Sequence, residues 1–193
     1  MVKTVIMANL HVILATTLDG YIAGEGGSLD WIIMGDDRGK YMVEALDHAD
    51  TLMLGRKSYQ SFMGFRPLAD DPNASPVERT IGQRFNAMRK VVYSESLETA
   101  EWEGTEIYRD IVPAEVERLK AQSEKGVRLD GSISIVQQLT RMGLIDEYQL
   151  MVHPVALARG RPLFDERVDL ELTNSERLSS GVVVLTYRPA RSN

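Results

Sequence analysis

Apolar positions recur along the chain in two rhythms, a short β-prone run and a 3.6-residue period, and the two alternate. Leu10 to Thr17 reads as a strand closed by Leu18-Asp19-Gly20, and the glycine-rich stretch Gly24 to Ser28 after it must loop. From Asp36 to Asp47, Tyr41, Met42, Ala45 and Leu46 follow helical spacing, with acids at the start, where the helix dipole favours them. Thr51 to Leu54 is the next strand, ended by Gly55-Arg56-Lys57-Ser58, and a helix starts over Ser58 to Phe62. Residues 63 to 80 hold three of the seven prolines and read as a long surface loop before a short helix.

Lys90 to Tyr93 and Thr105 to Tyr108 are strand-like, and Pro113 opens a helix to about Glu124 at a position where its missing N–H costs nothing. Gly126 to Leu129 is a further strand. Ser132 to Met142 carries Ile133, Val136, Leu139 and Thr140 on one side, with Gly143 where a helix would cap. Three β-rich segments close the chain, at about Glu147 to His153, Leu170 to Leu178 and Val182 to Tyr187. This order predicts an α/β fold: an open, mostly parallel sheet flanked by helices, with an antiparallel C-terminal hairpin, as one domain over residues 1–193.

Charge narrows the partners. Among 193 residues, 22 basic against 28 acidic give a net charge of −6 without a basic tract, which argues against nucleic acid. With no cysteine there can be no disulfide, thiolate nucleophile or thiolate metal site. No apolar run approaches a membrane span, and the first apolar run lacks a cleavage pattern, so the chain reads as cytoplasmic, with no membrane partner.

Ligands of open α/β sheets sit beyond the carboxyl ends of the strands. Gly55-Arg56-Lys57-Ser58 offers close backbone approach, two cations and a hydroxyl at a helix start, and fits an anion or an ordinary capped turn. Gly131 and Ser132, after Leu129-Asp130, open a helix whose free amides can cradle a pyrophosphate or be plainly capped; Asp130 repels phosphate unless it points away. Ser94 reaches a phosphate or serves its turn. Gly24-Glu25-Gly26-Gly27 lacks the last glycine of a dinucleotide fingerprint and reads as a mobile flap or a surface loop. Asp19, Asp30, Asp36 and Asp37 are candidate acids near the first strand, while His11, His48 and His153 have no metal-ligand spacing and read as structural.

In order, TTLDGYIAG, SLDWI, LMLGRKSY, RKVVYSESLE, LDGSISIVQQL and GLIDEYQLMVHPVALARGRPLF resemble the dihydrofolate reductase-like family, which includes the reductase domain of the bifunctional riboflavin deaminase-reductase. The resemblance implies an NADPH-dependent reductase of a small pterin- or aminopyrimidine-type heterocycle, with 5-amino-6-(5-phosphoribosylamino)uracil as the nearest assignment. Dihydrofolate reduction and a non-catalytic NADPH-binding module are the alternatives.

By the same resemblance, Ala15, Ile22 and Trp31 line the nicotinamide pocket. Gly55, Arg56 and Ser58 grip phosphates, the arginine favouring the 2′-phosphate of NADPH, and Ser94 touches the adenosine side. Gly131, Ser132 and Ile133 underlie the pyrophosphate, and Asp36, five residues after Trp31, is the catalytic acid, with Asp37 its alternative. A homodimer built through a sheet edge is also implied. Leu129 stands where the riboflavin reductases carry a glutamate.

Overall fold

The computed structural model describes residues 9–190 and, of Asp36, the backbone alone. The expected strands form at β1 (Leu10–Thr17), β3 (Thr51–Gly55), β4 (Arg89–Tyr93), β5 (Thr105–Tyr108), β6 (Val127–Asp130), β7 (Glu147–His153), β9 (Leu170–Arg177) and β10 (Val183–Pro189). Two short strands are additional, β2 (Tyr21–Ala23) and β8 (Arg161–Pro162). The helices are α1 (Asp36–Leu46), α2 (Arg56–Phe62), α3 (Pro76–Ala87), α4 (Pro113–Gln122) and α5 (Ile133–Arg141).

Eight strands share one sheet in the order β5-β4-β3-β6-β1-β7-β10-β9. Pairing is parallel from β5 across to β7, and antiparallel where β10 meets β7 and β9. The predicted architecture is therefore present, C-terminal hairpin included. β2 and β8 pair separately and are too short for a periodic signal.

Side chains on successive strand residues point to opposite faces, and that period divides the core. Leu10, Val12, Met53 and Leu129 join Val116 and Leu119 of α4 and the inner face of α5. Across the sheet, Leu52, Leu54 and Val92 meet Leu46 of α1 and Phe85 of α3. Ile133, Ile135, Val136 and Leu139 of α5 are all buried, worth about 1.5–3 kcal/mol each, so this helix is anchored by its own apolar stripe. Gly143, at φ 66°, ends the helix as expected: its N–H donates to Thr140 O and that of Leu144 to Leu139 O.

Residues 63 to 80 depart from the expected loop. Met63–Ala69 is a 3₁₀ helix, and α3 starts inside the proline-rich stretch, at Pro76. The cause is a capping box: Ser75 Oγ accepts the Glu78 N–H and the Glu78 carboxylate accepts the Ser75 N–H. Gly82 lets α3 approach the 3₁₀ turn, because a Cβ there would come within 2.6 Å of Ala69 N.

Candidate active site

Because β1, β3, β4, β6 and β7 run parallel, their carboxyl ends share one edge of the sheet, and a cleft of about 1320 Å³ opens there. Three walls enclose it: the β3–α2 turn with Gly55 to Ser58, the β6–α5 turn with Asp130 to Ile133, and the glycine-rich loop with Gly24 to Gly27. Arg38 and Met42 of α1 approach from a fourth side, and Ala15 and Met151 lie at strand ends.

The first two walls are joined. Ser132 N–H donates to Ser58 Oγ (3.0 Å), Ser132 Oγ–H donates to the same oxygen (2.9 Å), and Gly55 N–H donates to Ser132 Oγ (2.7 Å). Ser132 meets these partners from a left-handed conformation, φ 54°, rare for serine. Gly131, also left-handed, has no room for more than hydrogen, since a Cβ would lie 2.7 Å from Ser58 Oγ.

Ala15, Ile22, Gly55, Arg56, Ser58, Gly131, Ser132 and Ile133, expected from the sequence, all line this cleft. Trp31 and Ser94 do not. Trp31 is buried, its ring edge-on to His153 with centroids 5.3 Å apart and its indole N–H donating to Ser28 O. Ser94 Oγ accepts the N–H groups of Ser96 and Leu97 and closes a turn, while Tyr93 lines the cleft.

The candidate acids separate by their partners. Asp19 accepts from Thr17 Oγ1 and from the amides of Leu157 and Ala158, which hold its carboxyl below the usual range and make it a loop clasp. Asp30 accepts the Ser28 hydroxyl locally. Asp37 accepts the Ser179 N–H, tying α1 to the turn before β10, and is absent from the cleft walls. The side chain of Asp36 lies outside the described part of the structure.

Asp130 lines the cleft, as does Glu25 of the glycine-rich loop. Asp130 is 4% exposed and held by Arg128, with Nε–Oδ2 2.6 Å and Nη2–Oδ1 3.2 Å, so it does not face the turn as a free charge. Leu129 beside it is buried in the opposite core. Arg38 has one described side-chain partner, Met34 Sδ, and its Nε is buried without one. Burial lowers the Arg38 pKa, and the charge of Asp130 opposes that shift.

Arg38, Met42, Asp130, Met151 and Arg161 were missed as cleft residues. Arg38 and Met42 stand one helical turn apart on α1, a spacing visible in the sequence. Arg161 depends on the β2–β8 pairing, and the only local hint was Gly160, where a Cβ would meet Ala23 O at 2.2 Å.

The sequence matches the RibD C-terminal domain over residues 8–184. The chain belongs to this family. An uncharacterised protein of Bacillus subtilis, YyaP, is 34% identical over 177 residues, covering 90% of this chain and 91% of its own. Among solved structures, a riboflavin biosynthesis protein from Shewanella sp. PV-4 superposes with a TM-score of 0.71 at 21% identity, covering 95% of this chain and 99% of its own. Dihydrofolate reductase from Enterococcus faecalis, complexed with NADP(H) and RAB-propyl, gives a TM-score of 0.63 at 19% identity and covers 95% and 97%. The dihydrofolate reductase-like fold expected from the sequence is thus the fold of this family member. Among the described residues, no helix is long and apolar enough to cross a membrane.

Proposed function

We propose that the protein is a cytoplasmic, homodimeric, NADPH-dependent reductase that transfers a hydride to a small pterin- or aminopyrimidine-type heterocycle. The observation that carries this reading is the junction of the β3–α2 and β6–α5 turns through Ser58 and Ser132. It presents the opening amides of α5 to one cleft, next to Arg56 and Lys57, which have no carboxylate partner among the described residues.

The residues fit a dinucleotide phosphate. The bare Cα of Gly131 makes room for Ser58 Oγ, which already accepts twice from Ser132 and keeps its own proton to donate. Arg56 supplies a planar cation for the 2′-phosphate, the basis for NADPH over NADH. Ala15 and Ile22 give apolar walls for the nicotinamide end, and when bound the cofactor supplies the hydride.

Toward the substrate, Asp130 accepts a ring N–H or amino hydrogen and orients the heterocycle, while Arg128 holds the carboxylate in place. Asp36, the first residue of α1, is the proposed proton donor, and Arg38 offers its charge to an acidic substituent of the substrate. The dimer reading rests on β9, the sheet edge that is exposed from Glu171 to Arg177. The test follows NADPH absorbance with 5-amino-6-(5-phosphoribosylamino)uracil and with dihydrofolate. Oxidation with the first identifies the pyrimidine class, oxidation with dihydrofolate alone moves the assignment there, and none with either or with other pterins sinks the reductase reading.

A further inference from the structure

Between the glycine-rich loop and α1, the segment Leu29 to Ile33 forms part of the cleft wall through Leu29 and Ile32. Its internal hydrogen bonds are local: Trp31 Nε1–H donates to Ser28 O and Ile32 N–H to Leu29 O. Among the described residues, one hydrogen bond leaves the segment for the sheet, from Ile33 N–H to His153 Nδ1 at 3.1 Å.

We infer that His153 is a positioning residue, a neutral imidazole at the end of β7 that fixes this wall through the Ile33 amide and the Trp31 ring. The inference rests on reading the cleft as a nucleotide and heterocycle site. His153 is fully buried, and its ring stands at 85° to that of Trp31, so the two rings lock each other edge to face. Accepting from Ile33 requires a lone pair on Nδ1, which leaves the proton on Nε2. Burial first, and the Arg38 charge second, pull the imidazole below its usual pKa and keep it neutral.

Nε2 is buried and has no partner among the described residues, where the hydrogen bond that orients the ring is the one from Ile33. A purely apolar ring would fill the same volume yet strand the Ile33 amide. The wall that Leu29 and Ile32 present to the ligand therefore depends on an acceptor at the Nδ1 position. Asparagine can place its carbonyl oxygen there, whereas glutamine reaches toward Nε2 instead.

The test compares the intact chain with His153→Phe, His153→Asn and His153→Gln, reading hydrogen exchange of the peptide that contains Ile33, NADPH affinity and melting temperature. The expected result is exchange about tenfold faster and NADPH affinity about tenfold weaker in His153→Phe and His153→Gln, the loss of one hydrogen bond. His153→Asn returns both toward wild type, a rescue that ring packing alone would not give. Wild-type exchange and affinity in His153→Phe, or no rescue by asparagine relative to glutamine, overturns the inference. Should the wild type bind no NADPH, the reductase reading falls, and the exchange rates alone then decide the role of His153. If His153→Phe does not fold, the asparagine–glutamine contrast carries the decision.

Discussion

Ser58 and Ser132, 74 residues apart in sequence, are hydrogen-bonded twice, because Ser58 Oγ accepts both the amide and the hydroxyl of Ser132. Ser58 lies in the first turn of α2 and Ser132 directly precedes α5, on either side of the same cleft, so one contact sets the spacing of the two turns proposed to bind phosphate. Ser58→Ala leaves the Ser132 amide without its acceptor, at a cost of about 1 kcal/mol in denaturant unfolding, and removes a donor to the cofactor. NADPH affinity is expected to fall about tenfold.

Gly131→Ala attacks the same junction through the backbone. Gly131 sits at φ 61°, and the new methyl would start 2.7 Å from Ser58 Oγ. Left-handed strain alone costs about 1–2 kcal/mol, so the variant is expected to lose at least that stability and to bind NADPH more weakly than Ser58→Ala does.

The Arg128–Asp130 pair separates chemistry from structure. Asp130→Asn keeps the side-chain shape but leaves the buried Arg128 charge uncompensated, so it is expected to cost about 3–5 kcal/mol of stability, while the folded variant retains NADPH affinity within about threefold and its turnover falls by about a hundredfold. Arg128→Met strands a carboxylate that is 4% exposed and is expected to cost about 3–5 kcal/mol, read by chemical denaturation, whereas pairing it with Asp130→Leu recovers most of the loss.

His11 gives the protein an acid limit. Burial, then the nearby charge of Arg128, lowers its pKa from 6.5 to about 4. Between those values the unfolded chain binds a proton that the folded chain refuses, so stability is complete above 6.5 and drains away as pH falls toward 4. Unfolding free energy is expected to drop by about 2 kcal/mol between pH 7 and pH 5 from this group. His11→Gln should flatten that slope; an unchanged slope would remove His11 as its source.

Much of the fold was legible because strand and helix periods stayed clean. β1, β5 and β7 occupy the residues their apolar patterns predict, and α5 buries the stripe read from Ile133, Val136 and Leu139. The proline-rich stretch misled, because prolines at 67 and 72 outweighed the Ser75–Glu78 capping signal that starts α3 at Pro76. At the site, the glycine and serine turns were readable, since their local chemistry needs particular residues at strand ends. Sequence order leaves open whether Asp130 repels phosphate or points away, because it does not say that Arg128, two residues earlier on the same face of β6, holds the carboxylate. The pocket role of Trp31 came from resemblance alone, and its ring faces His153; for Ser94 the strand end left a phosphate contact and a turn both open, and its hydroxyl closes the turn.

The most direct test of the cofactor site is a fluorescence titration of the purified protein with NADPH and with NADH, on wild type and on Arg56→Ala. NADPH bound well ahead of NADH by the wild type, with that preference lost in Arg56→Ala, is the result predicted here. Binding of neither nucleotide, or a preference untouched by removing Arg56, would contradict it.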